Sequence, residues 1–136
     1  MSSIQFELQM AVRDYELDTQ GVVNNSVYLN YLEHARHEYL KHIGVNFNEF
    51  HKKGLDAVVH KVELTYKRPL MGDDTFTIRT SARPQGNVRF IFEQSIYRHP
   101  DNELMLTGVV TAVFMTEGRP IRPPEELKLA MDRLDS

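Results

Sequence analysis

Three carboxylates stand close together in residues 12–25, and they are the residues of this chain best suited to chemistry. Asp14, Glu16 and Asp18 occupy every second position, a few residues before a predicted helix start. The positive end of a helix dipole and its free N–H groups can polarise a carbonyl oxygen, while a nearby carboxylate attacks the carbon or activates water. The segment therefore has the parts of a minimal hydrolytic site. The same spacing is also typical of ordinary loop and capping residues, and spacing alone leaves both interpretations open.

The histidines and the remaining residues do not predict a second catalytic or metal-binding site. His37 and His42 are five residues apart, which separates them by about 140° around a helix, whereas a zinc-binding pair needs a spacing of four. His34 and Glu38 have that spacing, but two ligands without a third are typical of a solvated helix face. The chain has no cysteine, no serine in a nucleophile elbow and no glycine-rich phosphate loop. The sequence therefore predicts neither a metal nor another cofactor.

Two elements must hold the carboxylate segment in place. Before it, apolar and polar residues alternate, which predicts a half-buried strand. Its apolar members are Ile4, Phe6, Leu8, Met10 and Val12. After it, apolar residues recur at three and four positions, which predicts a helix from Ser26 to Ile43. Its apolar members are Tyr28, Tyr31, Leu32, Ala35, Tyr39, Leu40 and Ile43. Asn24 or Asn25 would cap the start of this helix, and Gly44 would end it.

Period two returns after Gly54 and predicts four more strands, with a short helical turn at Asn46 to Glu49 before them. Their inward residues are predicted as Val58, His60, Val62, Leu64 and Tyr66; Phe76, Ile78, Thr80 and Ala82; Val88, Phe90 and Phe92; and Leu104, Leu106, Val110, Ala112 and Phe114. The connecting turns are short enough for antiparallel neighbours. Pro123 and Pro124 open a C-terminal helix that carries Leu127, Ala130 and Leu134. These elements predict an α+β protein in which one five-stranded antiparallel sheet wraps one long helix.

Composition is that of an ordinary globular domain. The 136 residues are 41% hydrophobic and 26% charged, which excludes disorder and predicts one domain over residues 1–136. A net charge of −3 predicts neither a nucleic-acid nor a membrane partner. No apolar run approaches the roughly 18 residues of a membrane span, and the first twelve residues contain no Lys or Arg. These features predict a cytoplasmic protein.

Basic residues are concentrated in the middle of the chain. Residues 61–89 carry six basic and three acidic side chains, while the segments on either side are acidic. Such a region could receive a phosphorylated ligand or an acidic partner. Scattered, solvated charges on strand faces would produce the same composition, so both interpretations stay open.

The carboxylate segment resembles a known family. The run from Val12 to Tyr28, with Ala35-Arg36-His37-Glu38 after it, is similar to the hotdog-fold acyl thioesterases of the 4-hydroxybenzoyl-CoA thioesterase superfamily. Within that superfamily it resembles the plant acyl-lipid (methylketone-synthase-type) thioesterases and their bacterial relatives. The similarity extends through the predicted strands to about Phe114, so it covers most of the chain. The resemblance implies a single hotdog thioesterase domain.

The resemblance also implies roles for individual residues. The catalytic carboxylate of the family falls on Asp18, a main-chain N–H at the helix start falls on Asn25, and Gly21 lets the loop turn. Many bacterial members have histidine where this chain has Asn25. Plant acyl-ACP thioesterases have asparagine and histidine where it has Gln20 and Val22. This leaves Asp18 as the main chemical group, acting either as nucleophile or as general base for water.

The implied reaction is hydrolysis of an acyl-CoA or acyl-ACP thioester to a free acid and a thiol. The predicted substrate-binding residues are Gly21 and Val23 in the loop, Tyr28, Tyr31 and Phe90 along the acyl chain, and either Arg89 or the corner of Lys67 and Arg68 near the phosphates. Two alternatives remain. A hotdog dehydratase or hydratase would need a histidine paired with an acid, and no histidine precedes Leu32. A non-catalytic acyl-CoA-binding module needs no such pair.

Self-association is the last expectation. An open sheet with apolar residues on its outer face has edges and a face to cover, and we take Ile91, Val109 and Val113 as such residues. Because members of the superfamily associate through their sheets, the resemblance implies a homotetramer, a dimer of dimers.

Overall fold

The computed structural model of the chain describes residues 6–135, with the backbone alone for 132–135. The strands are β1 (Phe6–Ala11), β2 (Asp56–Tyr66), β3 (Thr75–Gln85), β4 (Arg89–Arg98), β5 (Glu103–Thr116) and β6 (Arg119–Ile121). The α-helices are α1 (Val27–His42), α2 (Phe47–Lys52) and α3 (Glu125–Asp135), and a 3₁₀ turn covers Asp14–Glu16. The predicted Ile4 lies outside the described residues, and so does the side chain of Leu134.

One antiparallel sheet contains all the strands. Its order is β1-β3-β4-β5-β2, with the short β6 paired to β5. The predicted α+β class, with one long helix against this sheet, is confirmed. The sixth strand was not predicted. It forms because Glu117 and Gly118 both adopt positive φ, 49° and 76°, which is the geometry of a tight hairpin turn.

Helix α1 packs its predicted apolar face onto the sheet. Its buried residues are Tyr28, Tyr31, Leu32, Ala35, Tyr39 and Leu40. The helix comes unusually close to β5 at Gly108, where an added Cβ would lie 3.1 Å from Leu32 and 3.0 Å from Leu64 of β2. Glycine at this position therefore lets the helix rest on the middle of the sheet, and the helix start lies near the end of β2, which pairs with the start of β5.

The inward face of β2 differs from its prediction. A β-bulge between Val59 and Lys61 shifts the register against β5, so Val58 lies opposite Val113 and Val59 opposite Ala112. The prediction that Val58 and His60 share the face of Val62 is therefore wrong, because one extra residue reverses the alternation.

Helix α1 does not cover the inner side of β2, which is an edge strand of the sheet. Val59, Val62 and Tyr66 are 48%, 39% and 50% exposed, although they face the same side as the core. On the outer face, Val109 is also exposed, whereas Ile91 is only 4% exposed and needs no further cover. The apolar surface is thus concentrated on the β2 side of the sheet.

Candidate active site

A tight turn presents Asp18. Leu17 and Val23 form an antiparallel bridge, the N–H of Asp18 donates to the carbonyl of Val22 at 2.8 Å, and the N–H of Gly21 donates to the carbonyl of Asp18 at 3.2 Å. Gly21 has φ +81°, a conformation that residues with a side chain rarely adopt, so the predicted role of this glycine in the turn agrees with its geometry.

The two oxygens of the Asp18 carboxylate have different surroundings. Oδ1 accepts from the N–H of Gln20 at 2.8 Å and from the N–H of Val22 at 3.3 Å. No residue in the described range 6–135 donates to Oδ2, and the side chain is exposed. The turn therefore fixes the carboxylate through one oxygen and leaves the other available to attack a carbonyl or to take a proton from water.

The start of α1 lies beside this turn. The helix begins at Val27, and its N-cap residue Ser26 makes no side-chain capping bond. Asn24 holds the turn before it: its side chain accepts from the N–H of Ser26 at 3.1 Å, and its carbonyl accepts from the N–H of Val27 at 2.9 Å. Neither predicted asparagine is therefore the N-cap residue itself, although Asn24 stabilises the turn that leads into the helix. The N–H of Asn25 has no acceptor among the described residues, while its carbonyl accepts from the Tyr66 hydroxyl at 3.3 Å. A free main-chain donor thus stands at the positive end of the helix.

A small cavity of about 160 Å³ opens at this place. Its lining residues are Val22, Val23, Asn25, Tyr28, Tyr66, Lys67, Arg68 and Pro69. It brings together five of the predicted site residues, namely Val23, Asn25, Tyr28, Lys67 and Arg68. Asp18 adjoins its wall through the hydrogen bonds to Val22. Tyr66 is an addition, because strand alternation marked it only as a core residue of β2.

Tyr31 does not line this cavity. Its ring packs 4.9 Å from that of Phe76, and its hydroxyl donates to the Glu16 carboxylate at 2.7 Å. Burial, together with the Glu16 carboxylate, raises the pKa of Tyr31 above its usual range. Burial also raises the pKa of Tyr28, whose hydroxyl accepts from the N–H of Leu70 at 3.0 Å. The structure therefore does not bring Tyr31, which is 2% exposed, to the surface of this cavity.

Arg89 and Phe90 are far from Asp18 within one chain. They stand at the start of β4, whereas the site lies at the end of β2 and the start of α1, on the side of the sheet where β4 ends. The length of β4, about 30 Å at 3.3 Å per residue, separates the two places. Phe90 is buried against Phe92 and Phe114 in a second core cluster. Arg89 lines a separate cavity of about 350 Å³. The structure therefore does not unite these two residues with the predicted site.

Most basic residues of the middle segment form surface ion pairs. Arg79 pairs with Glu7 and Arg83 with Glu93, each at 2.8 Å, and both pairs are at least partly exposed. Arg68 pairs with Glu103 at 2.6 Å. For these residues the solvated strand-face interpretation holds.

Metal ligands and membrane helices are absent from the described part of the chain. Within residues 6–135, no three His, Cys, Asp or Glu side chains lie close enough together to hold a metal ion. No helix in that range is long and apolar enough to cross a membrane.

Comparison with known proteins gives related sequences over nearly the whole chain. A family model described as a thioesterase-like superfamily matches residues 12–131. The chain is 38% identical to the acyl-acyl carrier protein thioesterase ATL2 of Arabidopsis thaliana over 90% of its own length, and it spans 65% of the length of that relative. It is 30% identical to the acyl-CoA thioesterase YbgC of Haemophilus influenzae, with 95% of this chain and 96% of YbgC covered.

Solved structures share the fold. A 1,4-dihydroxy-2-naphthoyl-CoA thioesterase from Synechocystis superposes with a TM-score of 0.91 over 97% of this chain and 98% of that one, at 16% identity. At that identity the likeness concerns the fold alone, and it confirms the hotdog architecture, a curved antiparallel sheet around one long helix.

Proposed function

The chain belongs to the thioesterase-like superfamily, and we propose that it is an acyl thioesterase that hydrolyses acyl-CoA or acyl-ACP to a free acid and a thiol. One observation carries this proposal: Asp18 has one carboxylate oxygen held by two N–H groups and the other free, beside a helix start with an unused N–H at Asn25. The relatives named for acyl-ACP and acyl-CoA hydrolysis support both carriers as substrates.

The geometry suits a reaction at a thioester carbonyl. The carbonyl oxygen accepts from the N–H of Asn25, where the helix dipole stabilises the negative charge of the tetrahedral intermediate. Asp18 then acts in one of two ways. Its free oxygen attacks the carbonyl carbon and expels the thiolate, and water hydrolyses the resulting anhydride. Alternatively, it takes a proton from a water that attacks the same carbon.

The lining of the cavity indicates where the acyl group and the phosphates of the substrate would lie. The aromatic rings of Tyr28 and Tyr66, with centroids 5.5 Å apart, form an apolar wall beside the carbonyl site. Lys67 lies at the rim, and it makes no ion pair with any residue from 6 to 135, so it is free to meet a phosphate. Arg68 is less available, because Glu103 already neutralises it.

A substrate panel tests the function. Acyl-CoA and acyl-ACP thioesters of varied chain length, with one aromatic acyl-CoA, are incubated with the protein, and thiol release is followed with a thiol reagent. We expect turnover on at least one thioester. Binding of acyl-CoA without release of thiol on any substrate would instead favour the non-catalytic module. Hydration of an enoyl-CoA in the same panel would favour the dehydratase.

The proposed assembly is a dimer whose sheets continue through β2, with two dimers forming a tetramer. The exposed apolar residues Val59, Val62 and Tyr66 support this, because a long edge strand with an uncovered apolar face favours pairing with a second copy. Light scattering at micromolar concentration is expected to give four times the chain mass of 15.8 kDa. A stable monomer would refute it.

Such a dimer offers a role for Arg89. Antiparallel pairing of two β2 strands brings the start of one β2 beside the end of the other. Arg89 of the partner subunit then lies three strand spacings, about 14 Å, from the end of the first chain's β2. It is therefore proposed to contact substrate phosphates from the second chain. Arg89→Glu should raise KM for acyl-CoA more than it lowers kcat, since a phosphate contact contributes similarly to ground and transition states.

A further inference from the structure

Glu16 is the buried member of the three carboxylates that precede the helix. Its side chain is 7% exposed, whereas Asp14 and Asp18 are exposed. Oε1 accepts from the hydroxyl of Tyr31 and from the N–H of Arg13, both at 2.7 Å. The Arg13 guanidinium lies 3.4 Å from Oε2. A buried carboxylate is retained only when hydrogen bonds offset its lost hydration, and these contacts supply them.

These contacts join the Asp18 turn to the helix. The carbonyl of Glu16 accepts from the N–H of Asn24 at 3.0 Å, which closes the base of the turn. The side chain of the same residue reaches Tyr31, in the second turn of α1. The ring of Tyr31 is in turn held between Tyr28, at 6.0 Å, and Phe76, at 4.9 Å. Glu16 therefore connects the loop both to Asn24, through its carbonyl, and to the body of α1, through its side chain.

Main-chain contacts also hold the turn. Leu17 and Val23 form a bridge, Val22 forms a bridge with Met71, and the N–H of Val23 donates to the carbonyl of Leu70 at 2.9 Å. Within residues 6–135, however, the bond from Tyr31 to Glu16 is the only side-chain hydrogen bond that joins the turn directly to α1.

We propose that Glu16 and Tyr31 form a positioning pair, which holds the carboxylate of Asp18 at the correct distance from the N–H groups at the start of α1. This inference rests on the proposed thioesterase function. Neither side chain touches substrate in this arrangement, so the pair acts on kcat through Asp18. A displacement of about 1 Å in a reacting group can lower the rate about 10²-fold.

Three variants separate positioning from stability. Tyr31→Phe removes the hydroxyl and keeps the ring packing, and it leaves Glu16 its contacts with Arg13. Glu16→Ala removes the acceptor, whereas Glu16→Gln keeps an oxygen that can accept from Tyr31. We expect kcat to fall about 10- to 100-fold in Tyr31→Phe and in Glu16→Ala, with KM within about twofold. Glu16→Gln should restore most of the kcat lost in Glu16→Ala.

The double variant adds a second criterion. If Glu16 acts through Tyr31, the kcat of Glu16→Ala combined with Tyr31→Phe should be close to that of the slower single variant, because residues that act through one contact are not additive.

Thr80→Val is the matched control. Thr80 is fully buried, and its hydroxyl accepts from the Gln94 side chain at 3.1 Å beneath the middle of α1, away from the loop. The change deletes one buried hydrogen bond of the same kind, and Gln94 keeps its bond to the carbonyl of Leu32 at 3.0 Å. We expect Thr80→Val to lower Tm about as much as Tyr31→Phe and to leave kcat unchanged. Equal kcat losses in the two variants would overturn the positioning pair.

A second readout does not depend on turnover. The N–H groups of Gln20 and Val22 are bound by Asp18, so their hydrogen exchange reports how well the turn is held. Tyr31→Phe and Glu16→Ala should accelerate this exchange at least about 10-fold over wild type, and Thr80→Val should not. If the wild-type protein hydrolyses no thioester, the proposed function fails while this measurement still decides the positioning role. Unchanged exchange in all variants would overturn it.

Discussion

Replacing Asp18 by asparagine separates the chemistry of its carboxylate from its structural role. The carboxylate oxygen Oδ1 is the atom that accepts from the N–H groups of Gln20 and Val22. An asparagine Oδ1 can accept both bonds with the same geometry, so the turn should persist. The amide nitrogen then occupies the place of the free oxygen, and it is neither nucleophilic nor basic. Asp18→Asn therefore deletes the proposed reactive atom and little else.

Asp18→Asn should lower kcat strongly and change KM and Tm only slightly. Loss of a general base lowers the rate at least about 10²-fold, which corresponds to about 2.7 kcal/mol of transition-state stabilisation. KM should change by less than about twofold, because the cavity that binds the substrate is unaltered. Tm should stay within about 2 °C of wild type, since both hydrogen bonds to the backbone are retained.

The assay is steady-state release of thiol from the best thioester of the panel, with Tm measured on the same preparations. Asp14→Asn is the control: it removes one exposed carboxylate of the same loop, and no described residue donates a hydrogen bond to that side chain. It should retain near wild-type kcat. An Asp18→Asn protein with more than about one tenth of wild-type kcat would refute the role of Asp18. The chemistry would then belong to Asp14, Glu16 or Glu33.

Four further outcomes follow from substitutions at single positions. Asn25→Ala keeps the backbone N–H and should alter kcat less than about threefold, whereas a side-chain role predicts a loss of about 10² to 10³. Asn24→Ala removes the side-chain bond to the N–H of Ser26 at the start of the helix and should lower stability by about 1 kcal/mol in thermal unfolding. Gly108→Ala should destabilise the protein by about 1–3 kcal/mol in denaturant unfolding, because its Cβ would lie 3.0 and 3.1 Å from two leucine side chains. The hydrogen bond from Arg98 lowers the pKa of Asp101 from 3.8 to about 2, so Asp101 stabilises the fold above pH 3.8 and this contribution is lost as the pH falls toward 2. Asp101→Asn should accordingly lower Tm slightly at neutral pH, because the pair is exposed, and this difference should shrink as the pH falls through 2, which scanning calorimetry over that pH range measures.

Local patterns along the chain were sufficient to predict the long elements and to name a candidate reactive segment. Apolar spacing predicted the long helix, because the face that packs on the sheet must repeat every three or four residues. The alternation of apolar and polar residues likewise predicted the five long strands, because successive side chains of a strand point to opposite faces of the sheet. Asp18, Gly21 and Asn25 were predictable because a helix start, a turn glycine and a carboxylate are all encoded within eight consecutive residues.

Contacts between distant residues were decided by the tertiary structure. The sheet order places β2 beside β5, so Tyr66 meets Asn25 across 41 positions of the chain, and no periodicity reports such a pairing. The bulge at His60 reverses the predicted face of β2 at Val58, before the bulge, for a similar reason, since alternation assumes an unbroken register. Arg89 and Phe90 were predicted to bind the same substrate as Asp18 because a cation suits a phosphate and an aromatic ring suits an acyl chain. The direction of β4 places both residues far from Asp18 within one chain. Glu16 was indistinguishable from Asp14 in the sequence, and its burial against Tyr31 arises only when the loop folds back over α1.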